Sequence, residues 1–285
     1  MSIVVTGATG SLGRFVIEGL LEKVPAERIT AVARSHGKAT DLAARGVRIV
    51  IADYNEPETF DGLFTVGDKV LLISGNEFDK GRVEQHKIVL DAARAAGVAL
   101  FAYTSAPGAL TAALADDHRG TEAAILESGL PYVFLRNGWY NENYTERLAP
   151  VLQTFTVTQA AGEGRVASAA RADYAAAAVA VLIGEGHENK TYELSGDTAW
   201  GFAEFAAELS RQTGREIAYK SVPAEAFSEI LTGNAGLPAP LAASLTEVEL
   251  AIEMGELAGT DGELGRLIGR PTTPIADSIA LALKD

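Results

Sequence analysis

TGATGSLG, residues 6–13, carries the strongest structural signal in the chain. It follows the apolar run IVV and precedes a segment whose apolar residues recur at helical spacing. Gly7 permits a sharp turn, Gly10 lets the backbone approach a diphosphate without a Cβ in the way, and Gly13 allows a helix to pack closely on a strand. The stretch therefore predicts a strand, a phosphate-binding turn and a helix whose N-terminal N–H groups face the phosphates. The alternative is a tight turn that binds no ligand.

The first half of the chain alternates short apolar runs with helical patterns. The runs are rich in β-branched residues, and the strands that they predict span residues 3–7, 29–34, 47–53, 69–75, 99–105 and 131–137. Continuous apolar strands separated by helices predict a parallel sheet that is covered on both faces. This is the doubly wound α/β (Rossmann) architecture, which binds ligands at the carboxyl ends of its strands.

The pattern changes after residue 137, where a polar and aromatic segment, an Ala-rich helix and the strand candidate KTYELSGD follow. We predict a dinucleotide-binding Rossmann domain over residues 1–137 and a smaller, mostly helical, substrate-side lobe over residues 138–285. Later elements, at about 155–195, are expected to extend the sheet. Four glutamates of the lobe are interpreted as a solvated helix face: Glu247, Glu249, Glu253 and Glu256.

Composition excludes several classes of function. The formal net charge of the 285 residues is −14, which opposes binding to nucleic acid or to an anionic lipid surface. The chain has no cysteine, so disulfides, thiolate metal sites and a cysteine nucleophile are excluded, and redox chemistry requires a bound cofactor. No apolar run reaches the roughly 20 residues of a membrane span and no leader pattern is visible. We expect a cytoplasmic protein without metal, membrane or nucleic-acid partners; the oligomeric state has no clear marker, and a homodimer is left open.

The ends of the second, third and fourth strands indicate the cofactor. In NAD-binding proteins an acidic residue at the end of the second strand accepts hydrogen bonds from the ribose 2′-OH, but here that position holds Arg34. A guanidinium suits a 2′-phosphate by charge and by planar donor geometry, so NADP(H) is predicted. The alternative is that Arg34 is a solvated surface residue. Asp53 is predicted to contact the adenine amino group, and Ser74 and Gly75 to lie by the ribose.

The usual proton-donating pair of short-chain dehydrogenases is missing. That pair is Tyr-x-x-x-Lys, in which the lysine lowers the pKa of the tyrosine. Tyr103 ends the fifth strand but is followed four residues later by Pro107, and no lysine occurs between Lys87 and Lys190. Either the protein does no hydride chemistry, or its acceptor needs little proton assistance. A quinone meets the second condition, because hydride transfer makes it aromatic.

Two further groups of residues are candidates for the site. His118 lies near the start of the helix before the sixth strand, and its ordinary pKa suits proton transfer near neutrality; the alternatives are water as the proton source and a capping or surface role for the histidine. Beyond the sixth strand, flat aromatic faces and neutral hydrogen-bonding groups suit a planar, uncharged ring. The alternative is a polar loop with Trp139 as a core anchor. The residues predicted to line the substrate pocket are Asn137, Trp139, Tyr140, Asn143 and Tyr144, with Asn141 beside them.

Several longer motifs resemble one family over nearly the whole chain. YVFLRNGWYNENY, AAGEGRVASAARADYAAAA and GHENKTYELSGDTAW are similar to the NAD(P)H:quinone oxidoreductases of type 2, which are NmrA-like, atypical short-chain dehydrogenases close to the triphenylmethane reductases. The resemblance implies flavin-free hydride transfer from NADPH to a quinone or similar planar acceptor. It also implies a cofactor site made of the glycine turn, Arg34, the Ser74–Gly75 strand end and the loop after residue 137; the turn and loop members are Gly7, Ala8, Thr9, Gly10, Ser11, Leu12, Gly13, Gly138 and Asn141.

Two other functions stay open for this family. Reduction of a triphenylmethane dye requires an equally flat, electron-poor acceptor. A regulator of the NmrA type, which senses the dinucleotide without turnover, would also lack the Tyr-x-x-x-Lys pair.

Overall fold

The apolar runs of the sequence form strands at the predicted places. The computed structural model describes residues 2–75, 81–233 and 236–284. Its strands are β1 (Ile3–Val5), β2 (Ile29–Ala33), β3 (Arg48–Ile51), β4 (Lys69–Leu72), β5 (Leu100–Ser105), β6 (Tyr132–Asn137), β7 (Thr156–Gln159), β8 (Arg165–Val166), β9 (Lys190–Leu194), β10 (Trp200–Gly201) and β11 (Ala218–Ser221).

Helices separate these strands. They are α1 (Ser11–Leu21), α2 (Thr40–Ala44), α3 (Arg82–Ala96), α4 (Asp116–Ser128), α5 (Glu142–Thr145), α6 (Leu148–Thr154), α7 (Arg171–Ile183), α8 (Phe202–Thr213), α9 (Ala224–Gly233), α10 (Ala239–Glu253), α11 (Glu263–Ile268) and α12 (Ile275–Ala282). Short 3-10 turns cover Ala26–Arg28, His36–Ala39, Pro57–Phe60 and Ala113–Ala115.

The chain forms two compact units that are discontinuous in sequence. The first comprises Met1–Ala106, Asp117–Asn137 and Arg171–Tyr192; the second comprises Pro107–Asp116, Gly138–Ala170 and Glu193–Asp285. The chain passes from one unit to the other after Asn137, where the sequence places the end of the first domain. The predicted linear division into 1–137 and 138–285 stays a prediction.

The first unit is built on the large sheet. Its strand order is β3-β2-β1-β4-β5-β6-β9, and every pairing from β3 to β6 is parallel. The order reverses between β1 and β4, which is the switch point at which doubly wound sheets bind ligands. The predicted doubly wound fold is therefore confirmed.

Helices cover both faces of this sheet. On one face α1 buries Val16, Ile17 and Leu20 and packs against α7, where a Cβ on Gly19 would lie 3.1 Å from Val179 Cγ2. On the other face a core cluster includes Val89 and Leu90 of α3 together with aromatic residues. Its aromatic members are Phe60, Phe64, Phe101, Tyr103 and Phe134. Burial on both faces explains why the strands read as continuous apolar runs.

The second unit is mostly helical, as predicted. It contains two small sheets, β10 with β8 (antiparallel) and β11 with β7 (parallel). Of the segment expected to extend the large sheet, β9 does so next to β6, whereas β7 and β8 do not. The physical reason is that β11 and β10 already satisfy their main-chain hydrogen bonds. Tyr144, Trp200, Phe202 and Phe205 form an aromatic cluster with ring centroids 5.2–6.0 Å apart.

Candidate functional site

The glycine turn has the geometry of a phosphate-binding loop. Gly7 adopts a left-handed φ of +61°, the N–H of Gly10 donates to the carbonyl of Gly7 at 3.0 Å, and α1 begins at Ser11. A Cβ on Gly13 would lie 2.3 Å from the Gly7 oxygen and 2.7 Å from Ala8 Cα, so only glycine allows the helix to approach the turn this closely. Gly10, the N-cap of α1, has no side chain that could cap the helix. The first N–H groups of α1 are therefore available to bind an anion.

A cavity of about 480 Å³ lies over this turn, within the first unit. Ten residues predicted to bind the cofactor line it: Gly7, Thr9, Gly10, Ser11, Leu12, Gly13, Arg34, Asp53, Ser74 and Gly75. Ala8 is fully buried, and its N–H donates to the carbonyl of Val32. The cavity fits a dinucleotide because it joins a helix N-terminus at one side to cationic and polar side chains at the other.

Lys38 is a cavity residue that sequence reasoning missed. It lies with Arg34 and Ser35 just beyond β2. The Arg14 guanidinium donates to the Lys38 carbonyl at 2.7 Å and pairs with Asp41 at 2.5 Å, which fixes this turn to α1. Two cations at this position suit a 2′-phosphate better than the one predicted from Arg34. The spacing Arg-x-x-x-Lys was a usable signal, because a basic residue four positions beyond the strand end remains near it.

The opposite wall of the cavity is held by hydrogen bonds among residues that the sequence did not indicate. The Tyr54 hydroxyl forms a hydrogen bond with Thr6 Oγ1 and donates to the Ile73 carbonyl, which ties the ends of β1, β3 and β4 together. Asn55 donates to Asp53 Oδ1 at 2.9 Å and accepts from Gln85 Nε2 at 2.8 Å. Asp53 is thus oriented by a neighbour, and its contact with adenine stays a prediction.

Two buried side chains of α3 form hydrogen bonds with the backbone of Gly75. His86 Nε2 accepts from the Gly75 N–H at 3.0 Å, and Arg82 donates to the Gly75 carbonyl at 3.3 Å. Since Nε2 accepts, the proton of this imidazole is on Nδ1, which donates to Thr121 Oγ1 at 2.9 Å; Thr121 in turn donates to the Asp117 carbonyl. Burial, and secondarily the charge of Arg82, lowers the pKa of His86 to about 3. This neutral imidazole fixes the strand end beside the predicted ribose position.

His118, the candidate proton donor, lies buried on α4. Its Nδ1 is 2.9 Å from the Tyr103 hydroxyl. Burial, with a smaller effect of Arg82, lowers the pKa of His118 to about 3, and burial raises the pKa of Tyr103 to about 12. Both groups are therefore neutral at pH 7. A catalytic role for His118 stays a prediction, and a neutral imidazole holds no acidic proton for an acceptor.

A second cavity, of about 390 Å³, lies within the second unit. Three of the five predicted substrate residues line it: Trp139, Asn143 and Tyr144. Phe205, Phe227, Leu231 and Leu245 contribute apolar surface. A mostly apolar cavity with a few polar groups and this volume is typical of a small-molecule site.

The other members of the predicted loop lie elsewhere. Asn137 is buried at the end of β6 in the first unit, and Tyr140 forms an isolated bridge with Ala169. The Gly138 N–H donates to the Leu194 carbonyl at 2.7 Å. These three residues do not line the second cavity, and their predicted roles toward substrate or cofactor stay predictions.

Asn141 is fully buried in the second unit. Its Nδ2 donates to Ser278 Oγ and to the Thr273 carbonyl, and its Oδ1 accepts from Ser168 Oγ at 2.6 Å. Trp200 Nε1 donates to the same hydroxyl. This amide orders the unit, and a contact between its side chain and the cofactor stays a prediction.

The interpretation of four glutamates as one solvated face is wrong for Glu249, whereas Glu247 and Glu253 are exposed as expected. Glu249 is only 5% exposed and lines the second cavity. Glu247 accepts from the Ala113 N–H, and Glu256 accepts from the Thr111 N–H and hydroxyl. Helical spacing from Ala242, Leu245 and Ile252 puts Glu249 on the apolar face of α10, and that signal could have identified it.

Fold and first cavity together define an α/β protein that binds a nicotinamide dinucleotide at its switch point. The chain belongs to the NAD(P)H-binding family, whose model matches residues 7–184. Quinone oxidoreductase 2 of Escherichia coli is 43% identical over 280 residues, covering 98% of this chain and 97% of that protein.

Solved structures agree with this assignment. The NADPH-dependent quinone oxidoreductase of Escherichia coli complexed with NADPH superposes with a TM-score of 0.94, at 43% identity and 99% coverage of both chains. The Citrobacter triphenylmethane reductase complexed with NADP(H) gives 0.93 at 41% identity, with 99% and 100% coverage. The predicted family, the dinucleotide cofactor and the assignment as an NAD(P)H-dependent reductase are confirmed.

The described residues lack two features, a membrane-spanning helix and a metal-binding cluster. No helix in residues 2–75, 81–233 and 236–284 is long and apolar enough to cross a membrane. Within the same ranges, no group of three or more His, Asp or Glu side chains is arranged to hold a metal ion.

Proposed function

We propose that this protein reduces a quinone, or a similar planar conjugated acceptor, with NADPH and without flavin. NADPH supplies a hydride. The observation that carries the proposal is the second cavity, whose lining includes the aromatic side chains Trp139 and Tyr144 and the neutral amide Asn143. Such a lining suits an uncharged ring with carbonyl groups at its edge. The similarity to a quinone oxidoreductase over nearly the whole chain supports the same acceptor class.

The first unit would hold NADPH through residues that fit its parts. The glycine turn and the start of α1 suit the diphosphate, Arg34 and Lys38 suit the 2′-phosphate, and the fixed Gly75 backbone suits a ribose. The absence of a Tyr-x-x-x-Lys pair is compatible with an acceptor that becomes aromatic when reduced.

A panel of acceptors tests this proposal. We expect saturable NADPH oxidation with benzoquinones and naphthoquinones, and little with simple ketones, because a ketone needs a strong acid to protonate the forming alkoxide. NADPH oxidation without any acceptor is the control. Tight NADPH binding with no turnover of any quinone would contradict the proposal and favour a dinucleotide-sensing regulator.

A cationic triphenylmethane dye is the second candidate acceptor. The similarity to a triphenylmethane reductase favours it, and the same flat cavity could take it. Turnover of the dye but not of quinones would replace the first proposal by this one.

We also propose a cytoplasmic location, since a chain without cysteines forms no disulfides in an oxidising compartment and NADPH is a cytoplasmic reductant. Cell fractionation tests the location. Light scattering on the purified protein distinguishes a homodimer, which the sequence leaves open, from a monomer.

A further inference from the structure

Glu249 is the one carboxyl group among the side chains that line the second cavity. It projects from α10, where Ala242, Val248, Ala251 and Ile252 are also buried. One of its oxygens, Oε2, accepts from the backbone N–H of Ala160 at 3.2 Å. Among the described residues no lysine, arginine or histidine forms an ion pair with it. A buried carboxyl with backbone donors and no cation is costly to ionise.

Burial raises the pKa of Glu249 to about 8, although the N–H groups of Ala160 and Ala161 act in the opposite direction. At pH 7 the group is therefore largely the neutral acid. A neutral carboxylic acid has an O–H that it can donate, whereas the carboxylate form can only accept.

The other titratable groups near Glu249 do not supply this proton. Of the described side chains that line the cavity, only Tyr144 and Arg147 are also ionisable types, and Tyr219 interacts electrostatically with the carboxylate from β11. Burial raises the pKa of both tyrosines, so they keep their protons, and Arg147 is an exposed guanidinium. Helices α8 and α9 and strand β7 face the cavity with uncharged side chains.

We propose that Glu249 is the acid that protonates the reduced acceptor bound in this cavity. The inference rests on the proposed function as a quinone reductase. A quinone that receives a hydride becomes a hydroquinone monoanion, in which one oxygen carries the charge. As the hydride arrives, Glu249 breaks its O–H bond and gives that proton to the oxygen on which this charge develops, which forms the neutral hydroquinone and leaves a carboxylate. Water at the rim of the cavity, near the exposed Arg147 and Thr154, restores the proton.

The balance of the reaction separates two kinds of acceptor. A quinone takes up a hydride and a proton, whereas a triphenylmethane cation becomes a neutral product on receiving the hydride alone. Loss of an acid should therefore slow reduction of the quinone and spare reduction of the dye. A residue that only shapes the cavity would affect both.

The test compares Glu249→Gln with wild type in single-turnover NADPH oxidation. Glutamine keeps the size and a hydrogen-bond donor but cannot release a proton. Because a quinone needs less proton assistance than a ketone, we expect an effect at the low end for a general acid: a roughly 100-fold slower rate with a benzoquinone, a dye rate within about threefold of wild type, and an unchanged KM for NADPH. Glu253→Gln, one turn along the same helix and exposed, is the matched control and should behave as wild type.

A pH profile gives a second readout that a structural role would not move. The rate of quinone reduction by wild type should fall about tenfold per pH unit above pH 8. This decline should be absent in Glu249→Gln. It should persist in Glu249→Asp, which should also restore part of the rate. An infrared band of the protonated carboxyl at pH 6.5, lost in Glu249→Gln, identifies the acid form directly.

Equal slowing of quinone and dye, or an unchanged quinone rate in Glu249→Gln, would overturn the role of Glu249 while leaving the proposed function in place. No quinone turnover by wild type would instead remove the proposed function, and with it this inference. If wild type does not reduce the dye, the pH profile of quinone reduction tests whether Glu249 is the acid.

Discussion

Arg34 and Lys38, which line the first cavity, are the residues through which we propose that the first unit distinguishes NADPH from NADH. They follow the buried strand β2, at the place where an acidic side chain would bind a ribose 2′-OH. Both side chains are exposed, so each is hydrated without a ligand and loses little by pairing with a phosphate. Their charges favour the dinucleotide with the additional dianionic group.

Replacing Arg34 by aspartate should reverse this preference. Arg34→Asp removes a charge-assisted contact of about 1.5–3 kcal/mol and adds repulsion, so the KM for NADPH should rise roughly 10- to 150-fold while that for NADH changes little. Steady-state kinetics with both dinucleotides measure this. Arg28→Asp, an exposed charge reversal outside the cavity, is the control. An unchanged KM for NADPH in Arg34→Asp would contradict the assignment of the 2′-phosphate site.

Single residues differ in how far the sequence could specify them. The turn glycines and Arg34 were predictable because their roles depend on the backbone of one strand and the adjoining helix. His86 and Tyr54 were not, because their partners Gly75, Thr121 and Thr6 come together only when the sheet is assembled. Glu249 was wrongly predicted to be solvated because glutamate is usually charged. The helical spacing of its apolar neighbours would have predicted burial.

At the scale of elements, the sheet was predictable and the small strands were not. Each central strand is a largely apolar run, and a run of this kind is most favourably placed in a sheet that is buried on both faces. By contrast, β7 is the polar segment TVTQ, and it pairs with β11. Each residue of β7 pairs with a residue 62 positions later in the chain. The sequence of a short polar strand has no hydrophobic periodicity from which its pairing strand could be predicted.

The contact between α1 and the glycine turn makes a second prediction. Gly13→Ala places a Cβ 2.3 Å from the Gly7 oxygen, so the helix must move away from the turn or the turn must open. We expect a loss of about 1–3 kcal/mol of unfolding free energy and weaker NADPH binding.

Thermal unfolding with and without NADPH measures both effects. Gly37→Ala is the matched control, because a Cβ there meets nothing within 4 Å. If Gly13→Ala melted at the wild-type temperature and kept the same stabilisation by NADPH, the close approach would have no energetic importance.

At the scale of the whole molecule, the buried titratable groups give opposite pH dependences. His86 and His118 have pKa values of about 3 in the folded first unit against 6.5 for an ordinary histidine. Between these values the unfolded chain binds protons that the folded chain does not, so stability falls as the pH falls below 6.5. Glu249 of the second unit has a pKa of about 8 against 4.5. There the folded chain keeps a proton that the unfolded chain loses, so stability falls as the pH rises from 4.5 to 8.

These opposite pH dependences predict that the unfolding free energy is greatest near pH 6.5. Its decline at higher pH, here called the alkaline limb, is caused by Glu249. Each such group changes the unfolding free energy by at most about 1.4 kcal/mol per pH unit within its window. Glu249→Gln should therefore flatten the decline between pH 6.5 and 8 and steepen the rise between pH 4.5 and 6.5, which Glu249 partly offsets in wild type, while Glu253→Gln should change neither. Both tryptophans, Trp139 and Trp200, lie in the second unit, so urea unfolding followed by tryptophan fluorescence reports on the unit that contains Glu249. An alkaline limb of the same slope in wild type and Glu249→Gln would show that this carboxyl is ionised in the folded protein, because only a retained proton couples its folding to pH in that range.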